Sequence, residues 1–471
     1  MKSLSWTKTE KSADCGYPRR RSRFGRGAGL GATAALCVAA AGIAIAQTFD
    51  PAIPDALKAQ LESKHTAAVA VGVVVNGRLV YARAFGNAGT GTTFAIGSIT
   101  KMFTAVSIMQ LASRGQLSLS DPVSKYVPEY TNFASMTIRQ LMNHTSGIPN
   151  YLDEAVALGK NAATTTPSAI LASIAARPLD FQPGTDWNYS NTGYVLLGQI
   201  VERISGLALA EYEKRNIFAP LGMSRTSAAP VAGNVPAQAF KGDPGNWSWY
   251  YADGDIFSNV ADLARFDIAL MAGTVLPRAF FEEMQQTVPY ATLAPGLRDG
   301  QGVFVLEGRQ IRIVSHHGGM AGFRADNEMV PAKDFAVVVL GNGSYDTTPI
   351  VRAALKAYVP SYSRERNLGP QLDYDPAPAV TSRAAALLAG ASSGHLDRSQ
   401  FEPLISIQLP TDEAMVKQFA PFGRFERLQF VSKVYVQAGL YYVYRAVFTH
   451  RTVALSIVID KPGKVAAFSI T

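Results

Sequence analysis

Strand-like segments stand at both ends of the first 340 residues, and the stretch between them reads as helix and loop. Residues 66–75 and 78–85 are two β-branched, apolar runs that meet at Asn76-Gly77. That dipeptide favours a two-residue hairpin, because both turn positions need positive φ. Comparable runs return only at 302–306, 310–315, 323–330 and 335–340, separated by Glu307-Gly308 and by 331–334. Between the two sets lie helical patterns, of which 98–114 and 192–205 are the clearest; Gly115 and Gly206 sit where C-terminal caps would. A hairpin cannot bury its apolar face alone. The economical assembly is an α/β (α+β) fold: one antiparallel sheet made of the first hairpin and the later strands, flanked by helices, with a helical insertion beside it. A helix over 349–358 follows the last of these strands.

A polar, Pro/Gly-punctuated linker is expected at 361–380, including Asp375-Pro376-Ala377-Pro378. Beyond it, 382–391 and 411–419 read as helices. The segments 425–431, 434–437, 440–449, 452–459 and 465–470 read as strands. Residues 381–471 therefore form a small α+β module built on a β-meander. With 48% hydrophobic and 17% charged residues, the chain has ample material for cores of this size.

The formal net charge of +8 invites a nucleic-acid reading, but six of those charges belong to residues 1–46. The remaining chain is close to neutral and offers no broad footprint for phosphates. Those first 46 residues run from Arg19-Arg20-Arg21-Ser22-Arg23 into an Ala/Gly-rich apolar stretch that ends in Ala44-Ile45-Ala46. The pattern is that of an export signal cut after Ala46, with a periplasmic or secreted product and no stable membrane insertion afterwards. An uncleaved anchor is the alternative, disfavoured because Ala and Gly anchor weakly. Cys15 and Cys37 both lie in this leader. The mature chain would have no disulfide, no thiolate metal site and no cysteine nucleophile.

The chemistry centres on Gly97-Ser98-Ile99-Thr100-Lys101. A serine at a helix start and a lysine three residues on share one face. A buried lysine loses its proton more readily and can serve as the base a serine needs. Alone, Ser-x-x-Lys is a weak signal, since an N-cap serine beside a surface lysine looks the same. Two further segments raise its weight: Tyr189-Ser190-Asn191 leading into a helix, and His316-His317-Gly318-Gly319 after a strand.

In that order, the three segments resemble the serine β-lactamase and penicillin-binding-protein superfamily. Within it the chain is most similar to the branch of class C β-lactamases, D-Ala-D-Ala carboxypeptidases, D-aminopeptidases and related esterases. The phrases Leu141-Met142-Asn143-His144-Thr145-Ser146-Gly147-Ile148 and Ile217-Phe218-Ala219-Pro220-Leu221-Gly222-Met223 also resemble that branch, and the resemblance covers residues 50–360. It implies a β-lactamase/transpeptidase-like fold and an acyl-enzyme mechanism without a cofactor. Ser98 would be the nucleophile, Lys101 its base or proton relay, and Tyr189 the group that activates water or protonates the leaving group. Asn191 would bond substrate and Lys101. The backbone N–H groups of Ser98 and Gly319 would form the oxyanion hole beside Gly318.

His316 stands where relatives often carry the Lys of Lys-Thr-Gly, and would grip a substrate carboxylate or steer protons. A neutral imidazole lacks the permanent charge that suits a β-lactam carboxylate. The resemblance thus favours a hydrolase of D-amino-acid peptides, amides or esters. A β-lactamase, or a non-catalytic relative that binds cell-wall peptide or self-assembles, are the alternatives. The partner expected is a small-molecule or peptide substrate, not nucleic acid; oligomeric state is left open. His144 reads as a turn-fixing residue, and Trp247, Trp249, Tyr250 and Tyr251 as core. His316-His317 finds no further ligand at a known metal spacing, so no metal is expected.

Overall fold

The computed structural model describes residues 66–470 except 153–164, 229–245, 289–291, 295–296, 309–310, 321, 344–345, 360–361, 363–374, 376, 407–408, 437–438 and 461–462. The expected export leader, both cysteines and most of the expected linker lie outside the described residues.

Strands β1 (Thr66–Val75) and β2 (Arg78–Gly86) form the hairpin, and Asn76 and Gly77 take φ of 50° and 68°. They join β6 (Thr292–Ala294), β7 (Leu297–Asp299), β8 (Phe304–Glu307), β9 (Arg312–Met320), β10 (Phe323–Val330) and β11 (Phe335–Gly343). The result is one eight-stranded sheet of order β2-β1-β11-β10-β9-β8-β7-β6, antiparallel throughout. The hairpin pairs with β11 across some 270 residues of intervening chain, with Val71 opposite Val339. Central strands buried on both faces carry apolar residues at successive positions, and all nine residues of β11 are buried.

One face of the sheet bears Val337 and Val339, packed against α4 (Thr348–Tyr358) through Ile350, Val351 and Leu355. The other face bears Val338, Leu340, Val314 and Met329 and packs against the helical layer. That layer is centred on α1 (Thr100–Ser113), whose residues from Thr100 to Leu111 are all buried. Around it lie α2 (Asn191–Ser205) and α3 (Val260–Ala272). Phe103 of α1 stacks on Phe266 of α3 at 4.2 Å, and Phe218 meets it edge-on at 5.6 Å. A helix buried on every side must satisfy its own polar groups. Thr104 donates to Ala252 O at 2.8 Å, and Thr100 Oγ1 accepts from Ile256 N–H at 3.2 Å. These two bonds draw residues 252–256 against the N-terminal half of α1.

Several details depart from the sequence reading, the strands β6 and β7 at one edge of the large sheet among them. A second, three-stranded sheet joins β3 (Phe94–Ala95), β4 (Ser227–Ala228) and β5 (Ile256–Ser258) in the order β3-β5-β4. Strands of two or three residues carry no legible period. His316–Gly319 lies within β9 and not after it, because β9 runs on to Met320 opposite Phe323. Segments 425–431 and 434–437 form a single strand, β12 (Phe425–Val436), whose register shifts between Phe430 and Ser432.

β12 opens the C-terminal meander, followed by β13 (Gly439–Phe448), β14 (Thr452–Ile459) and β15 (Val465–Ile470). Helices α5 (Pro378–Ser393) and α6 (Asp412–Phe419) cover it. Leu387, Leu388, Met415, Phe419, Tyr444, Leu455 and Ile457 form a core of its own. β12 also lies against β6, the edge strand of the large sheet. Among the described residues, no helix is long and apolar enough to cross a membrane.

Candidate active site

Ser98 sits in a single 3-10 turn, Gly97–Ile99, that leads into α1. The chain can make this turn because Gly97 takes φ +52° and approaches β9 closely. A Cβ there would meet Gly319 N at 3.0 Å. Gly318 is equally constrained, since a Cβ on it would fall 1.8 Å from Ile96 O. The two glycines let β9 pass directly beside the serine turn, bringing the backbone of Gly319 to the side of Ser98.

One helical turn on, Lys101 is fully buried. Its ammonium donates to Asn191 Oδ1 at 2.6 Å, Asp253 O at 2.9 Å and Ser98 Oγ at 3.3 Å. Burial lowers its pKa from 10.5 to about 8, against the opposing pull of the Asp253 and Asp299 carboxyl groups. The three contacts decide what deprotonation does. Asn191 Oδ1 and a backbone carbonyl can only accept, so a neutral amine keeps its two hydrogens on them. Its lone pair then faces Ser98 Oγ.

Asn191 opens α2, and its amide orientation is set from outside. Asn150 Oδ1 accepts from both the Asn191 backbone N–H and its Nδ2, each at 3.1 Å. One amide hydrogen is left for a substrate. Tyr189 precedes α2 by two residues and shares a hydrogen bond with Ser98. Burial, the dominant effect, pushes the phenol far above its usual range. Tyr189 is therefore a neutral O–H donor at any working pH, while the Lys101 ammonium lies 5.0 Å over its ring. Ser98 and Tyr189 remain partly exposed, whereas Lys101 and His316 are buried, so a substrate meets the two hydroxyls first.

His316 projects from β9 onto this face and stacks on Phe304 at 4.4 Å. Burial, helped by the nearby Lys101 charge, drives its pKa well below 6.5. Its Nδ1 faces His317 O at 2.8 Å. A carbonyl only accepts, so Nδ1 carries the ring proton and Nε2 is a bare acceptor. The ring is neutral and presents a lone pair, which does not attract a carboxylate.

His317 points to the opposite face, as strand alternation requires. There it meets Asp326 Oδ1 at 2.9 Å. His317, Asp326 and Glu328 have ligand atoms within 4.8 Å of one another and are the group among the described residues with metal-binding potential. They lie on the α4 side of the sheet, away from Ser98.

The sequence reading missed the groups that hold Tyr189. His144 adopts φ +58°, as a turn residue would, but its ring also lies against Tyr189 at 4.2 Å. Ser190 N–H donates to His144 Nδ1 at 3.1 Å. The proton thus sits on Nε2, which faces buried Asp299 Oδ2 at 3.9 Å. Asp299 in turn accepts from Trp187 Nε1 at 2.8 Å. Asp253, whose carbonyl holds Lys101, was also missed. Burial raises its carboxyl to about 6, with Lys101 and Tyr151 opposing. The pattern Asp253-Gly254-Asp255 just before a strand is the signal that could have flagged it. Trp249 is buried and Trp247 packs edge-on to Phe257 at 4.7 Å, in keeping with a core role for that cluster.

Comparison with known proteins gives the family and the fold class. The family model described as Beta-lactamase matches residues 53–359. Penicillin-binding protein 4* of Bacillus subtilis (strain 168) is 30% identical over 302 residues, 56% of this chain and 65% of that protein. Among solved structures, a D-stereospecific amidohydrolase from Streptomyces sp. superposes with a TM-score of 0.58 at 26% identity, covering 66% of this chain and 99% of its own. The octameric penicillin-binding protein homologue from Pyrococcus abyssi shares the fold over 90% of this chain and 99% of its own, with a TM-score of 0.58 at 23% identity. A family model that takes in both Ser98-x-x-Lys101 and the β9 histidine, over a fold of the same class, leads to one assignment: the chain belongs to the beta-lactamase family and is a serine hydrolase of the β-lactamase and penicillin-binding-protein type.

Proposed function

We propose that the protein is exported and hydrolyses amides, peptides or esters of D-amino acids through an acyl-enzyme on Ser98. The observation that carries the chemistry is the Lys101 environment, with two fixed acceptors and Ser98 as the third neighbour. Neutral Lys101 takes the Ser98 proton as Oγ bonds to the substrate carbonyl carbon. The negative charge on the carbonyl oxygen is met by the backbone N–H groups of Ser98 and Gly319. Collapse breaks the bond to the leaving amine or alcohol. Tyr189 gives that group a proton and is reprotonated by the Lys101 ammonium. Water then attacks the ester, giving its proton back through the same pair, and Ser98 leaves with a proton.

The neutral His316 favours the amide and ester side of the family over β-lactams. Its Nε2 accepts, so it suits a substrate N–H or ammonium, not the carboxylate of a penicillin. The D-stereospecific activity named for the Streptomyces relative points the same way. Export rests on the basic and Ala/Gly-rich leader. The test compares hydrolysis of D-phenylalanine amide, L-phenylalanine amide, a D-Ala-D-Ala peptide and a chromogenic cephalosporin. Faster turnover of the D-configured amide or peptide than of the cephalosporin is expected. Preference for the cephalosporin over all the others would overturn the substrate assignment.

A further inference from the structure

The segment that delivers Tyr189 is held from two sides, and one of them is the C-terminal module. Lys433 on β12 makes an ion pair with Asp186, three residues before Tyr189. The Lys433 and Asp186 side chains are only 13% and 10% exposed. Exposed ion pairs contribute little, but a pair withdrawn from water leaves an uncompensated charge when one partner is removed. The pair is continuous with the site. Asp186 Oδ1 accepts from the Trp187 backbone N–H at 2.8 Å, and the Trp187 indole donates to Asp299 at 2.8 Å. Asp299 faces His144, which lies against Tyr189. A second contact follows the same direction. β12 lies against β6, and β6 pairs with β7, which carries Asp299. Opposite Lys433 in the β12–β13 register stands Tyr442, buried and within the field of Asp186.

We propose that Lys433 is a positioning residue for the reaction: through Asp186 it fixes residues 186–190 and so sets the Tyr189 hydroxyl against Ser98. The module is then part of the working enzyme, and its docking state controls the hydrolase. This rests on the reading of Ser98 and Tyr189 given above.

The test uses the full chain with Lys433→Met, Lys433→Arg, Asp186→Asn and the double variant Asp186→Asn/Lys433→Met. Two readouts are taken: the limiting rate and half-saturation of fluorophosphonate labelling at Ser98, and hydrogen–deuterium exchange across 186–190. Lys433→Met is expected to slow the limiting labelling rate about tenfold with half-saturation unchanged, and to speed exchange in that segment. Lys433→Arg keeps the charge and should restore the rate, which a loss through general misfolding would not do. The double variant should be no slower than the worse single one, because both substitutions break the same contact. Unchanged labelling and exchange in Lys433→Met, or a double variant equal to the product of the singles, would overturn the proposal. If the wild-type chain is not labelled at all, the Ser98 reading has failed instead. The exchange comparison then decides alone, and equal exchange in Lys433→Met and wild type overturns the pinning.

Discussion

The protonation state of Lys101 sets how acylation depends on pH. Lysine normally loses its proton near 10.5, and here burial brings that to about 8. The difference corresponds to about 3 kcal/mol at ~1.4 kcal/mol per pH unit. At pH 7 about one Lys101 in eleven is then neutral, against about one in three thousand for an ordinary lysine. The base population is raised by a factor of several hundred. Because neutral Lys101 is the reactive form, the sign is fixed. The rate of Ser98 acylation rises about tenfold per pH unit below about 8 and levels off above it. Asp253 lies beside Lys101 and favours the ammonium. Removing its charge in Asp253→Asn should move the inflection to lower pH, and only above about pH 6, where the wild-type carboxyl is ionised. The assay is the second-order rate of fluorophosphonate labelling between pH 5.5 and 9.5, read by intact mass. A flat profile through this range, or an Asp253→Asn inflection at higher pH, would refute the reasoning.

Three further outcomes follow from the same geometry. Tyr189→Phe should slow turnover of an amide by about 10²-fold, since the leaving amine loses its proton donor, while the melting temperature stays close to wild type. Gly318→Ala should abolish labelling and destabilise by about 1–3 kcal/mol, because the new Cβ falls 1.8 Å from Ile96 O and β9 must shift away from the serine turn; chemical denaturation with normal labelling would contradict this. Partial desolvation opposes the charge on half-exposed His317, but Asp326 outweighs it and raises its pKa from 6.5 to about 9. A raised folded value means the pairing stabilises fully below 6.5 and is lost as pH climbs through 9. The stability advantage of wild type over His317→Gln should fall across that window in urea titrations, and a constant difference would rule the pairing out as a source of stability.

Most of the large sheet was legible because it rests on local chemistry, and the candidate site motifs were legible through the family resemblance they carry. Asn76-Gly77 needs positive φ, the β-branched runs need a pleated surface, and Ser98-x-x-Lys101 falls on one helical face. What was not legible depends on residues brought together from afar. Asp253 reaches Lys101 only because Thr100 and Thr104 bind the 252–256 segment. Asp299 meets Trp187 across more than a hundred residues. Asp299 has no local pattern that separates it from a solvated carboxylate, and Asp253 has only the Asp253-Gly254-Asp255 step before a strand. His144 was read as a turn residue, which its φ bears out, yet the stacking on Tyr189 is a tertiary fact. His316 was visible as a departure from lysine. Its tautomer, which decides what it can bind, is set by a single carbonyl in the folded strand.

The central claim is that Ser98 is the nucleophile and Lys101 its base. Intact-mass spectrometry of the purified protein after fluorophosphonate treatment, beside Ser98→Ala and Lys101→Met, tests it most directly. One adduct per wild-type chain, none on folded Ser98→Ala, and labelling of Lys101→Met slowed by about 10²-fold or more are predicted. An adduct that persists on Ser98→Ala, or full-rate labelling of Lys101→Met, would contradict the account.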